Sequence, residues 1–321
     1  MKRIIFISVQ PDDFYFYWQV EVFIHNAIKN GINPKNIQIL FSCVKGPKQE
    51  LIDLSKKYNF VKFYFYERNE FINYGYVSAL RPDALEQHFS KYPELRGEVL
   101  FYHDSDIIFK ELPDFDSMHD DNFWYLSDTV SYIGANYIKS KSDQLLTDLC
   151  DITGVKREIV ESNENNSGGA QYLMKGVNAS YWSDVKETCL NLYKYMAERE
   201  EEERKTLTPE QLETYNPIQK WCSDMWAVLW CAWKRGYQTK ISRELGFSWG
   251  SSDHKEWDCH KIMHNAGVLE KDKDRKFFKG EFINKSPFDR DLSYVEPYSN
   301  SWHYAQAIEY AKIQRKEIFG S

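Results

Sequence analysis

Glu98-Val-Leu-Phe-Tyr-His-Asp-Ser-Asp-Ile-Ile-Phe109 decides the fold. An apolar, aromatic-rich run leads into Asp104-Ser-Asp106, and the apolar character resumes at Ile107. This predicts a buried strand that ends on two carboxylates with one residue between them. The rim at the carboxyl end of a parallel sheet is where α/β proteins place ligands. Two carboxylates there are hard oxygen ligands for a divalent cation, and such a cation can hold a diphosphate. The pattern points to an enzyme acting on a nucleotide-activated substrate. Asp114-Phe-Asp116, Asp272-Lys-Asp274 and Asp289-Arg-Asp291 share the bare spacing, but they lie in polar stretches that read as loops. The plainer alternative for Asp104 and Asp106 is a strand-end turn with surface carboxylates.

Outward from this stretch, apolar runs at Arg3 to Val9, Ile37 to Cys43 and Val61 to Tyr66 read as three earlier strands. Helical spacing marks Trp18 to Lys29, Pro47 to Lys57 and Ser78 to Tyr92. Strands alternating with helices of this length give an α/β chain: a Rossmann-like, mostly parallel sheet with helices on both faces. Beyond Asp106 the cadence changes. Phe123 to Leu126 and Ala170 to Met174 read as strands, and Gln238 to Trp249 as an extended segment. Ser142 to Ile152, Ser183 to Lys205, Trp221 to Lys234 and Tyr304 to Phe319 read as helices. Residues 1–268 are expected to form one domain, with a nucleotide half (1–110) and an acceptor half (111–268). Residues 269–321 form a C-terminal extension.

Composition narrows the class. Of the 321 residues, 42% are hydrophobic and 28% charged, as in ordinary globular proteins. Aromatics reach 16%, enough to supply stacking surfaces as well as a core. A net charge of -7 gives no support for binding nucleic acid by bulk charge, so any such groove must be local. The six cysteines lack paired Cys-x-x-Cys spacing and read as reduced thiols of a cytosolic protein. Met1 to Ile7 reads as a first strand and not as a signal peptide. No run approaches the roughly 18 apolar residues of a membrane span.

Three further segments carry chemistry. Asn165-Asn-Ser-Gly-Gly-Ala-Gln171 places two glycines before a strand, for close approach to a ligand or for a tight loop. Cys222-Ser-Asp-Met-Trp226 opens an apolar helix with Ser223 as a natural N-cap and Asp224 in the first turn; that carboxylate is either a capping group or a catalytic base. Lys261-Ile-Met-His-Asn-Ala-Gly267 sets His264 beside small residues, as a core histidine or a ligand.

In this order the segments resemble the GT-A fold of nucleotide-sugar-dependent glycosyltransferases over roughly residues 1–268. The resemblance implies Asp104, Asp106 and His264 as the metal site, with Mn²⁺ favoured over Mg²⁺ by the imidazole. It implies a nucleoside-diphosphate sugar as donor, UDP-linked by preference. Base and ribose would lie near Ser8, Val9 and Gln10, with Asp104 on the ribose or the metal and Arg81 on phosphate or sugar. Ser167, Gly168 and Gly169 would form an acceptor or donor-sugar loop, and Asp224 would serve the acceptor or the donor sugar. Ser167-Gly-Gly-Ala-Gln171, Ser223-Asp-Met-Trp-Ala-Val-Leu-Trp230 and His264-Asn-Ala-Gly-Val268 look like glycosyltransferases met in phage genomes. These are distantly similar to plant enzymes that arabinosylate hydroxyproline or galactosylate serine. The phage resemblance implies a hydroxymethylated pyrimidine in DNA as acceptor, with a protein or glycan hydroxyl as the alternative. Lys271, Lys273, Arg275, Lys276 and Lys279 are the candidate DNA groove.

Other classes remain at this point. A metal-dependent nucleotidyltransferase or phosphodiesterase would also use strand-end carboxylates. A non-catalytic sugar- or nucleic-acid-binding protein would exploit the aromatics. Cys259, His260 and His264 could instead hold zinc.

Overall fold

Strands buried on both faces read as continuous apolar runs, and the first two strands follow that rule. The computed structural model describes residues 2–69 and 75–320. Its strands are β1 (Ile5–Pro11), β2 (Ile37–Cys43), β3 (Lys62–Glu67), β4 (Val99–Tyr102), β5 (Ile107–Phe109), β6 (Phe123–Asp128), β7 (Gly168–Lys175), β8 (Gln238–Ile241), β9 (Phe247–Trp249) and β10 (Ile262–His264). The main sheet has seven strands in the order β3-β2-β1-β4-β7-β6-β8. Within it β7 alone runs against its neighbours, so the sheet is mostly parallel, as the sequence predicts.

Helices Phe14–Lys29, Gln49–Lys57 and Leu80–Lys91 return the chain between the first four strands. The first of them starts earlier than the apolar spacing predicts. The Asp13 carboxylate accepts the Tyr15 N–H at 3.0 Å and caps a turn built from aromatic residues. The long helix likewise starts early, at Ala179, because the Asn178 side chain accepts the Tyr181 N–H.

The chief departure from the sequence reading lies just past the two carboxylates. Ile107–Phe109 does not prolong β4. It leaves the main sheet and becomes the edge of a second sheet of three strands, ordered β5-β10-β9. The extended segment 238–249 is split the same way: β8 joins the main sheet and β9 the small one. Asp104 and Asp106 therefore occupy the crossing between two sheets.

The C-terminal segment closes over this crossing. Phe277, Phe282, Phe288, Leu292 and Tyr304 are buried with Trp18, Ile108 and Met263 in a common apolar cluster. The Trp18 indole N–H donates to the Phe282 carbonyl at 3.1 Å. The extension thus packs onto the first helix and the small sheet.

Gly168 and Gly169 lie inside β7 and make room for neighbouring protein. A Cβ on Gly168 would sit 2.5 Å from Leu126 Cβ and 2.6 Å from the Ser127 carbonyl oxygen. Those partners belong to the adjacent strand and have little freedom to yield. Gly168→Ala is expected to cost about 2 kcal/mol through overpacking, measured as a lower urea midpoint. A loss under about 0.5 kcal/mol, the ordinary range for surface changes, would contradict this packing.

Candidate active site

Register brings the distant histidine to the aspartates. β10 pairs antiparallel with β5 so that His264 stands opposite Ile107, the residue after Asp106. The Asn265 N–H donates to the Asp106 carbonyl at 2.9 Å and extends that pairing. His264 Nε2 then lies 3.2 Å from Asp106 Oδ1 and 3.5 Å from Asp104 Oδ2. β9 pairs with β10 in parallel, which sets Trp249 beside His264, and the two rings stack with centroids 5.4 Å apart. Asp104, Asp106 and His264 each offer one donor atom within 4.8 Å of the others.

Each aspartate is also held from its far side by a cation. Arg81 Nη2 is 2.8 Å from Asp104 Oδ1, and Lys279 Nζ is 2.5 Å from Asp106 Oδ2. Burial would raise the Asp106 carboxyl, but Lys279 and His264 overcome it and hold the group well below the usual carboxylate range. Asp106 is therefore ionised at any working pH.

Arg81 continues to Asp224, where Nη1 meets Oδ2 at 3.3 Å. The Tyr76 hydroxyl lies 2.9 Å from Asp224 Oδ1 and accepts the Asp224 N–H at 2.8 Å. This corrects the expected cap of helix Ser223–Lys234. Ser223 is already helical and donates to the Lys220 carbonyl, while an orphan N–H of the first turn is satisfied by Tyr76 from another part of the chain. The Tyr76 ring is stacked on Tyr193, with centroids 4.3 Å apart, and burial with the Asp224 charge keeps its hydroxyl protonated. Burial pushes the Asp224 carboxyl up, against the pull of Arg81.

Two cavities share Arg81, Asp104 and His264, and a third shares Pro11 and Phe16 with the first of them. One of about 210 Å³ is bordered by Asp104, Asp106, His264, Arg81 and Lys279. A second of about 210 Å³ lies between Asp104, Asp224, His264 and the rings of Tyr132, Tyr172 and Trp221. A third of about 600 Å³ opens beside Pro11, Phe16, Tyr76 and Gly280. Ala170, on the wall of the second, has φ +64°, a left-handed conformation that costs a non-glycine residue on the order of 1–3 kcal/mol.

The other expected residues fall as follows. Val9 borders the cavity at the aspartates, whereas Ser8 and Gln10 are buried in β1, where the Gln10 side-chain amide donates to the Leu40 carbonyl. Ser167, Gly168 and Gly169 are buried, and Ala170 and Tyr172 just beyond them face the second cavity. His260 pairs with Glu256, and His264 turns to the aspartates, so the alternative zinc set is not assembled. Of the five residues of the predicted basic groove, Arg275 pairs with Asp272, Lys273 with Glu270 and Lys279 with Asp106, while Lys276 donates to the Ser251 carbonyl. Tyr76, Trp249 and the role of Lys279 went unseen in the sequence. Lys279 did carry a signal: it lies between Phe277 and Phe282, both fully buried, in an otherwise charged stretch.

No protein-family model matches the chain, and no curated protein matches it by sequence. Its fold is that of GT-A glycosyltransferases, a mixed α/β architecture on a mostly parallel sheet. The solved structure of the bifunctional glycosyltransferase WbbM is similar with a TM-score of 0.50 and 11% identity, covering 100% of this chain and 52% of that one. The chain thus spans about half the length of WbbM. The galactosyltransferase LgtC, solved with donor and acceptor sugar analogues, has a TM-score of 0.39 and 10% identity, covering 98% and 99% of the two chains. The glycosyltransferase GlyE of Streptococcus pneumoniae has a TM-score of 0.40 and 10% identity, covering 96% and 64%. No helix among the described residues is long and apolar enough to cross a membrane.

Tyr76→Phe keeps the ring stack and removes the hydroxyl. It is expected to lower stability by about 1–3 kcal/mol, the cost of an unsatisfied buried donor, measured by chemical denaturation. An unchanged midpoint would show that the Asp224 N–H has another acceptor.

Proposed function

We propose that this protein is a metal-dependent glycosyltransferase that moves a sugar from a nucleoside-diphosphate sugar, UDP-linked by preference, to a hydroxyl group. The observation that carries the reading is the Asp104, Asp106 and His264 cluster at the crossing of the two sheets on a GT-A fold. Two carboxylate oxygens and an imidazole nitrogen are a donor set suited to Mn²⁺, with Mg²⁺ second. The buried Nδ1 of His264 has no hydrogen-bond partner among the described residues, which leaves Nε2, the nitrogen facing both carboxylates, as the ring's directed contact. Bound there, a divalent cation supplies charge neutralisation to the departing diphosphate.

The chain's own groups divide the remaining work. The larger cavity beside Pro11 and Phe16 suits the nucleoside. Arg81 and Lys279 border the cavity at the aspartates and offer fixed positive charge to a diphosphate. The aromatic-walled cavity suits the donor sugar and the acceptor, with Asp224 placed to accept a hydrogen bond from a hydroxyl of either. Its walls suit a sugar ring and an extruded pyrimidine alike. We favour a saccharide or peptide hydroxyl over hydroxymethylated DNA because Lys273, Arg275 and Lys279, three of the five basic residues of 271–279, are in ion pairs. Mass analysis of nucleosides after incubation with hydroxymethylcytosine DNA decides between them.

The products separate this reading from its rivals. Glycosyl transfer or hydrolysis breaks the anomeric C–O bond and releases a nucleoside diphosphate. A phosphodiesterase or nucleotidyltransferase would break a P–O bond of the diphosphate and release sugar 1-phosphate, with the nucleoside monophosphate set free to water or passed to an acceptor, and a binding protein would release neither. With Mn²⁺ and a panel of nucleotide sugars, release of nucleoside diphosphate is expected for at least one donor. Asp106→Asn is expected to lower that rate by more than tenfold, about 1.4 kcal/mol in the barrier, without loss of fold. Sugar 1-phosphate as the product, or a variant as active as the parent, overturns the assignment.

Asp224→Asn probes a different function. It is expected to bind Mn²⁺ and nucleotide as the parent does and to lose turnover. Its melting temperature at pH 7 is expected to equal or exceed the parent's, because a carboxyl raised by burial carries its charge at a cost. A variant that retains turnover and simply melts earlier would make Asp224 a structural group.

A further inference from the structure

We infer that Arg81 and Lys279 determine which divalent cation this site accepts, by each occupying one oxygen of an aspartate and leaving the other to the cation. The inference rests on the metal-centre reading above and goes beyond it, because it assigns selectivity to two side chains that are not ligands. The four oxygens are divided cleanly. Asp104 Oδ1 meets Arg81 at 2.8 Å, and Asp104 Oδ2 faces His264. Asp106 Oδ2 meets Lys279 at 2.5 Å, and Asp106 Oδ1 faces His264. Neither carboxylate presents two uncommitted oxygens on the side of the imidazole.

Both clamps are themselves held. Arg81 bridges to Asp224 at 3.3 Å, so its guanidinium is fixed at two points. Lys279 sits between Phe277 and Phe282, both fully buried against Trp18. The Phe277 N–H donates to Ser301 Oγ at 3.1 Å, and the Phe282 carbonyl accepts the Trp18 indole. The ammonium is delivered by packed backbone and not by a loose surface chain.

Cation chemistry turns this division into selectivity. Ca²⁺ takes six to eight oxygens and readily uses carboxylates through both oxygens. Mg²⁺ takes six ligands, keeps several waters and binds carboxylates through one oxygen. An imidazole then favours Mn²⁺ within the smaller pair. A site whose aspartates are limited to one oxygen each therefore disfavours Ca²⁺. The clamping cations also lower the affinity for every divalent ion, so charge and geometry must be tested separately.

The test is direct metal binding without nucleotide. Mn²⁺ is titrated calorimetrically and followed by electron paramagnetic resonance, with Ca²⁺ and Mg²⁺ as competitors. The parent is expected to prefer Mn²⁺ over Ca²⁺ by at least about tenfold. Lys279→Met removes charge and clamp together. It is expected to tighten Mn²⁺ modestly and Ca²⁺ about tenfold more, so the preference narrows. Lys279→Arg retains charge and donors and is expected to keep the parental preference. Equal tightening of both ions in Lys279→Met, or loss of the preference in Lys279→Arg with the fold intact by circular dichroism, overturns the clamp while leaving the metal centre standing. Should Lys279→Met not fold, Arg81→Lys, which trades a two-point guanidinium for a single ammonium, is expected to narrow the preference through Asp104. An unchanged ratio there overturns the inference equally. If the parent binds no divalent ion in a manner lost in Asp106→Asn, the metal-centre reading itself fails.

Discussion

The pairing of β10 with β5 is the constraint on which the rest of the site depends. Each strand has three residues, and their register sets His264 opposite Ile107. A slip of one residue would turn the imidazole to the other face of the small sheet. Because Ile107 directly follows Asp106, the same pairing fixes the second aspartate. β4 fixes the first, since it runs parallel to β1 in the middle of the main sheet and stops two residues before Asp104. Two sheets that meet at one chain crossing can thus hold groups from distant parts of the sequence at ligand distance.

Such short strands need support from outside their own ladder. The C-terminal segment provides it by packing Phe277, Phe282 and Tyr304 over Ile108 and Met263, the central residues of β5 and β10. The same segment delivers Lys279 to Asp106. Stability of the small sheet and electrostatics of the site are therefore carried by one stretch of chain. Tyr76 plays the corresponding part on the other side, where a single hydroxyl satisfies the first turn of an apolar helix and orients its carboxylate.

The legible parts of this protein were the local ones. β1, β2 and β4 are continuous apolar runs, and a run of that kind followed by a helical period announces a parallel sheet. Asp104 and Asp106 stood out because charge so close to a core needs a partner. His264 and Asp224 were found through the resemblance and not through their own surroundings. What stayed hidden was non-local. Nothing in Ile107-Ile-Phe109 states that it changes sheets, because three apolar residues carry no period. Ser223 satisfied the local rule for a cap, yet the hydroxyl that does the work comes from Tyr76. Gly168 and Gly169 advertised conformational freedom, whereas the structure uses their small volume and gives the positive φ to Ala170.

The proposed activity requires that the crossing of the two sheets hold a divalent cation with a nucleoside diphosphate beside it. Crystals grown with Mn²⁺ and uridine diphosphate test it most directly, with anomalous diffraction recorded at the manganese edge. One strong anomalous peak is expected among Asp104 Oδ2, Asp106 Oδ1 and His264 Nε2, with the diphosphate beside it and the nucleoside toward Pro11 and Phe16. A manganese peak elsewhere, with the nucleotide bound away from these three side chains, would contradict it.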